Sequence, residues 1–369
     1  MKTQPGRTFV IAEAGVNHNG SLALARELVE AAAEAKADAF KIQTFSADKL
    51  VLKNAARAIY QERNTKSSAT QHEMLKALEL DAAAHHELRE LCARRGIEFM
   101  STGFHPDDID FLVRETGISR VKIPSGDATN PVLLQAAWRT GLPIILSTGM
   151  CTLEEVLESL SLLAWLARTP AAQPASRAAL RELRGGKDWT APLQARVSLL
   201  HCVTQYPAPP ASVNLRAMES LMKAARLPVG LSDHSEGWHI ATAAVAMGAC
   251  ILEKHYTLSR NMEGPDHAAS LEPQELARMI REIRDVEEAR GDGVKAPGRE
   301  ECANLVPARG SLVAAQGIRK GEAFTRLNIT IKRPGGGVPP HYYWDYIGGM
   351  RADRDYSPDD AIVPANPEG

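Results

Sequence analysis

Eight short apolar runs, each followed by a longer stretch with helical periodicity, constrain this chain more than any other feature. The runs are "TFVIAEAG", "DAFKIQTF", "IEFMSTG", "RVKIPSG", "PIILSTG", "VSLLHCV", "PVGLSDH" and "CILEKHYT". Between them lie amphipathic stretches such as "SLALARELVEAAAEA" and "TLEEVLESLSLLAWLA", with Ser21 and Thr152 standing where N-caps belong. Alternation of this kind is the signature of repeated βα units and a parallel sheet. Eight units in roughly 290 residues is the size of a (β/α)8 TIM barrel. Residues 1–290 are therefore expected to form one, with 291–306 as a linker rich in Gly, Pro and charge. From about Pro307 the pattern changes to short strands and turns, so 307–369 reads as a small separate domain with little core of its own. The segment 168–192, rich in Ala, Pro and Arg, reads as a surface insertion.

In such a barrel the C-terminal strand ends form the active face. Here nearly every strand ends in polar groups: Glu13 and Asn17, Lys41 and Gln43, Ser101 and Thr102, Lys122, Ser125 and Asp127. The second half repeats the habit with Ser147 and Thr148, His201 and Thr204, Ser232, Asp233 and His234, and Glu253 and His255. One polar end would mean little, because buried polar networks also serve structure. Eight converging on one rim favour a site.

Composition narrows the class. A formal net charge of -2 gives no global basic field for nucleic acid or an anionic membrane. Nothing approaches a membrane span and the N-terminus lacks a signal-peptide pattern, which leads to the expectation of a cytoplasmic protein without nucleic-acid or membrane partners. The five cysteines are odd in number and scattered, which suits reduced thiols better than a disulfide framework.

Two kinds of chemistry are open to the rim. His234 and His255 end neighbouring strands, so their imidazoles can meet at one divalent ion and leave positions for water and substrate; two hydrogen-bonded histidines are the plainer alternative. Lys41, Lys122, Thr102, Ser125, Ser147 and Thr148 supply charge and hydroxyl donors for a phosphate and a carboxylate. Either lysine could instead form a Schiff base with a carbonyl substrate. Glu13, Asp127 and Glu253 are the candidates for acid and base work. Arg333, before the Gly-rich "PGGGVPP", matters only if its domain covers a barrel mouth.

Taken in order, "IAEAGVNHNG", "KIQTF", "YQERNT", "KIPSGD", "ILSTGM", "GLSDHS", "EKHYT", "GPDHAASLEP" and "KRPGGGVPP" resemble the bacterial N-acetylneuraminate (sialic acid) synthase family, legionaminic acid synthases included. The resemblance covers nearly the whole chain. It implies a (β/α)8 barrel followed by an antifreeze-like (SAF) domain, in a domain-swapped homodimer whose small domains cover the partner's barrel. The implied reaction joins phosphoenolpyruvate to the open-chain aldehyde of an N-acylated mannosamine, giving a nonulosonic acid and phosphate. By the same resemblance, His234 and His255 hold a divalent ion, Mn²⁺ first, with Mg²⁺ or Co²⁺ as alternatives. Lys41, Thr102, Lys122, Ser125 and Ser147 to Gly149 match the phosphoenolpyruvate site. Glu13, Gln43, Thr204, Tyr206 and Asp266 fall where the sugar-site and catalytic residues lie, and Ser232 joins the substrate-binding set. Arg333 matches the arginine that reaches the N-acyl group from the partner. Two departures stand out. Asp127 replaces the usual Glu of "SGE", which withdraws its carboxylate by about 1.5 Å, and Gly103 in "STGFH" replaces a proline and is expected to loosen the loop after the third strand.

Overall fold

The computed structural model describes residues 6–58, 69–169 and 176–364; the motif "YQERNT" lies outside them. The chain divides into two compact units, Met1–Gly291 and Asp292–Gly369.

Eight parallel strands close the first unit into a barrel: β1 Phe9–Gly15, β2 Ala39–Thr44, β3 Glu98–Gly103, β4 Val121–Ile123, β5 Ile144–Ser147, β6 Val197–Cys202, β7 Val229–Asp233 and β8 Ile251–His255. These coincide with the eight apolar runs. The ring closes where Phe9 to Glu13 of β1 pair in register with Ile251 to His255 of β8.

Alternation along a strand sorts side chains into two shells. Ile11, Ala39, Met100, Ile145, Leu200 and Ile251 form a separate buried cluster, the filled interior of the barrel. Residues of opposite parity, such as Val10, Ala12, Phe40, Ile42 and Leu252, join the large core beneath the surrounding helices. Helix caps are local: the Ser21 hydroxyl accepts from the Leu24 amide, and Thr152 forms a capping box with Glu155 at the start of Leu153–Arg168.

The segment read as an insertion is more structured than its composition suggested. Ser176 caps a helix, Arg177–Gly185, whose Leu180 and Leu183 pack against the main core. Arg177 and Arg184 pair with Glu158 and Glu154 of the preceding long helix at 2.7 and 2.6 Å. The expected loosening after Gly103 is also not what is found. Asp108 accepts hydrogen bonds from the Phe104 and His105 amides, which brace that turn into the helix Pro106–Phe111.

In the second unit, β9 Ser311–Ala314 and β10 Ile329–Lys332 pair antiparallel. Leu312, Ile318, Phe324, Ile329, Tyr346 and Tyr356 belong to a core of its own. Two short helices, Arg299–Cys302 and Leu305–Ala308, occupy the stretch read as a linker.

Candidate active site

The strand period builds the site. Two residues beyond the apolar interior layer, the next inward layer consists of Glu13, Lys41, Thr102 and Lys122 from β1 to β4, and Ser147, Cys202, Ser232 and Glu253 from β5 to β8. All eight line one cleft of about 450 Å3 at the C-terminal mouth. The layer above contributes Gln43, Phe104, Pro124, Thr204, His234 and His255 to the same cleft, with Gly15 and Gly149 at the two remaining positions. A polar ending to a core strand is thus the point where the packed barrel gives way to the site.

The charges interlock. Lys41 Nζ lies 2.7 Å from Glu13 Oε2, 3.5 Å from Glu253 Oε2, and donates to Thr102 Oγ1 at 2.9 Å. Lys122 Nζ is 3.6 Å from Glu253 Oε1, which also accepts from Ser232 Oγ at 2.7 Å. Burial drives the Glu13 carboxyl up to about 7, with Glu253 adding to the rise and Lys41 opposing it. Burial resists ionisation of Glu253 too, yet Lys122 and Lys41 outweigh it and hold that carboxyl well below the usual carboxylate range. The two glutamates therefore differ at neutral pH: Glu253 is ionised, and Glu13 holds its proton about half the time. Burial also lowers Lys122, whereas Glu13 and Glu253 overcome it at Lys41 and raise that ammonium.

The hydroxyl side offers unpaired polar groups to the cleft. Ser147 Oγ and Thr204 Oγ1 are buried without a protein hydrogen-bond partner, an arrangement that costs about 1–3 kcal/mol per group unless water or a ligand in the cleft satisfies it. Beside them the Gly149 amide donates to Ser125 Oγ at 3.0 Å. A Cβ at Gly149 would lie 2.4 Å from Thr204 Oγ1 and 2.8 Å from Ser125 Oγ, so only glycine keeps this corner open.

The histidines fit a divalent ion. Their ring centroids are 5.4 Å apart, compatible with one ion taking a nitrogen from each. His234 Nδ1 donates to the Val203 carbonyl at 2.7 Å and Nε2 faces Ser232 Oγ at 3.3 Å, so an ion on Nε2 would displace that contact. Burial opposes protonation of the ring, but Cys202 and the Val203 carbonyl raise it. His255 Nδ1 is buried without a partner, and burial together with His234 keeps that ring neutral. Tyr206 stacks on His234 at 4.1 Å. No third His, Cys, Asp or Glu completes a cluster among the described residues, so remaining positions would fall to water or substrate.

Other expected residues stand apart. Asp127 lines the cleft, and its Oδ1 accepts from Asn130 Nδ2 at 2.9 Å. Asp266 lies outside the lining, is buried, and is pushed up to about 6 by that burial. Arg333 is exposed on the second unit. A second groove of about 570 Å3, lined by Arg7, Lys36, Arg278, Arg281 and Arg284, has no comparable constellation: Asp38, Glu282 and Glu287 take three of its guanidinium groups.

Sequence reading missed two sets of residues. Lys254, flanked by Glu253 and His255, is fully buried on the opposite face of β8, where Nζ meets Asp233 Oδ2 at 2.8 Å and donates to the Ser235 carbonyl at 2.5 Å. The clamp ties together the two strand ends that carry the histidines, and the alternation of β8 was the available signal. The second set is the apolar edge of the cleft, Leu50, Val51, Leu75 and Phe104, which carries no chemical signature in sequence.

Fold and site define a (β/α)8 barrel with a charged cleft at its C-terminal mouth, followed by a small β-containing unit. The chain belongs to the NeuB family, whose model matches residues 28–295, and residues 309–366 match the SAF domain. It is 43% identical to an N,N'-diacetyllegionaminic acid synthase of Campylobacter jejuni over 96% of this chain and 99% of that one. A second N,N'-diacetyllegionaminic acid synthase, from Legionella pneumophila, is 43% identical over 92% of this chain and 89% of that one. Among solved structures, an N-acetylneuraminic acid (sialic acid) synthetase of Leptospira borgpetersenii aligns with a TM-score of 0.63 at 31% identity, covering 81% of this chain and 91% of that one.

Proposed function

We propose that the barrel joins phosphoenolpyruvate to the open-chain aldehyde of 2,4-diacetamido-2,4,6-trideoxymannose, giving a nonulosonic acid and phosphate. Condensation of phosphoenolpyruvate with an N-acylated hexosamine is the reaction of the NeuB family and of this chain. The choice of sugar over N-acetylmannosamine rests on the two diacetyllegionaminic acid synthases. At the level of the site, one observation carries the reading: an inward ring of two lysines and two unlike glutamates beside two partnerless hydroxyls.

Lys41, Thr102, Lys122, Ser125 and Ser147 receive the phosphate and carboxylate, with the Gly149 amide orienting Ser125. Gln43, Thr204, Tyr206 and Ser232 hold the sugar, and Asp266, which lies outside the lining, joins them only through the resemblance of its motif. A divalent ion on His234 and His255, Mn²⁺ by preference, polarises the aldehyde when bound. The C3 carbon of phosphoenolpyruvate forms the new bond to the aldehyde carbon, and Glu13, which retains a proton near neutrality, gives it to the oxygen. Water adds at C2, oriented by the ionised Glu253, and its proton passes to Glu13, which the first step left as a carboxylate. Asp127 stands by as a third carboxylate at the rim. Collapse of the tetrahedral centre breaks the C–O bond, releases phosphate and leaves the 2-keto acid.

A Schiff base at Lys41 is disfavoured, because Glu13 and Glu253 hold that amine as an ammonium; Lys122, whose ammonium burial lowers, is the remaining rival, and borohydride trapping in the presence of substrate tests it. We infer also a homodimer in which Arg333 of the partner subunit contacts the N-acyl group, since the exposed guanidinium needs such a setting to act. A cytoplasmic location suits five free cysteines and described helices of which none can cross a membrane. The deciding experiment uses phosphoenolpyruvate labelled with ¹⁸O at the bridging position. Label recovered in phosphate supports the mechanism; label retained in the sugar acid, or no turnover, refutes it.

A further inference from the structure

One sector of the cleft does not match its charged floor. Leu50 and Val51 follow β2, Leu75 lies on the helix Gln71–Lys76, and Phe104 follows β3; all four line the cleft and all are only half-buried. They do not project at random. Leu50, Leu75 and Phe104 pack on a small core of Val16, Phe45 and Leu78, and Phe104 meets Phe45 edge to face at 6.0 Å. This backing holds Leu50, Leu75 and Phe104 as an apolar wall that Val51 extends, with Gln71 the polar side chain set among its members in the lining.

Phosphoenolpyruvate offers such a wall nothing beyond one methylene, and its charged groups belong with the lysines. The wall must therefore face the other substrate. Going round the ring from His255, where the aldehyde end belongs, the inward positions on the next strands are Gly15, Gln43 and Phe104. Gly15 has φ +55°, and a Cβ there would come within 3.2 Å of His255 Cε1 and 3.6 Å of Gln43 Nε2. Its missing side chain keeps a passage open from the histidines toward the wall.

We propose that Leu50, Val51, Leu75 and Phe104 form the specificity pocket for the distal end of the acceptor sugar. It takes the C6 methyl and the methyl of the 4-acetamido group, while Gln71 faces the amide. A 6-hydroxyl placed there would lose water without gaining a partner, and a 4-hydroxyl would leave the apolar surface meant for the acetamido methyl uncovered, which is the basis of discrimination. The inference rests on the synthase reading above and deepens it by naming what selects the sugar.

The test measures kcat/KM for phosphate release with 2,4-diacetamido-2,4,6-trideoxymannose and with N-acetylmannosamine, in the wild type, Leu75→Gln and the near-isosteric Val51→Thr. The wild type should prefer the trideoxy sugar by about tenfold or more. Leu75→Gln should cut that preference about tenfold through the KM of the sugar, leaving the KM of phosphoenolpyruvate unchanged, and Val51→Thr should cut it less. Melting temperatures identify a variant that fails to fold, and Val51→Thr then carries the test. A wild type that uses N-acetylmannosamine equally well, or variants with an unchanged ratio, would overturn the pocket assignment and leave the synthase intact. No release with either sugar would instead overturn the synthase reading itself.

Discussion

Glu13 and Glu253 are the same residue type on adjoining strands, yet the lysines divide unequally between them. Lys122 and Lys41 both hold Glu253 ionised, while burial dominates at Glu13 and lifts it to about 7. Replacing Glu13 by Gln should lower kcat by roughly 10²–10⁴-fold and remove the activity limb near neutral pH, as a pH–rate profile would reveal. Stability carries the same signature. Between about pH 4.5 and 7 the unfolded chain has released this proton and the folded chain has not, so the Glu13 contribution to stability should fall by up to about 3 kcal/mol as pH rises through that window. His18 and His267, whose rings burial lowers to about 4, contribute in the opposite direction. Denaturant titrations of wild type and Glu13→Gln should differ by the Glu13 component, the variant gaining relative to wild type as pH rises from about 4.5 to 7. At Gly149 the constraint is steric: Gly149→Ala should raise the KM for phosphoenolpyruvate about tenfold or more, because the new methyl presses on Thr204 and Ser125.

At the scale of the element, strand alternation decides which of two neighbouring residues does chemistry. Glu253 and His255 face the cleft, and Lys254 between them faces Asp233 in a dry pair. Lys254→Met should cost about 3–5 kcal/mol by leaving Asp233 buried and uncompensated. It should also weaken Mn²⁺ binding by calorimetry, because the histidine-bearing strand ends lose their tie. Much of this scale was legible in sequence. Long apolar runs with polar ends gave every barrel strand, since burial on both faces suppresses other patterns. The helix at 177–185 was not legible, because its Leu180 and Leu183 are outnumbered by arginines whose partners, Glu154 and Glu158, sit on a different helix. The apolar wall was hidden for a related reason: Leu50, Leu75 and Phe104 look like ordinary core residues until the fold shows which surface they leave open.

For the whole molecule, the proposed dimer makes each site depend on two chains. Arg333→Ala should raise the KM of the sugar about tenfold or more with little effect on that of phosphoenolpyruvate. Assayed with sugar well below its KM, where both variants are nearly silent, mixed Glu13→Gln and Arg333→Ala proteins should regain about a quarter of wild-type activity, since random pairing puts one intact site in half of the dimers. No recovery after verified subunit exchange would mean that each chain completes its own site. The family reaction can be tested without that assumption. Phosphate release from phosphoenolpyruvate would be followed with chelator-stripped protein, with and without Mn²⁺, in the presence of 2,4-diacetamido-2,4,6-trideoxymannose. No release is expected without metal, and sugar-dependent release is expected when Mn²⁺ is restored. Release that ignores the metal, or silence with it, would contradict the site as assigned.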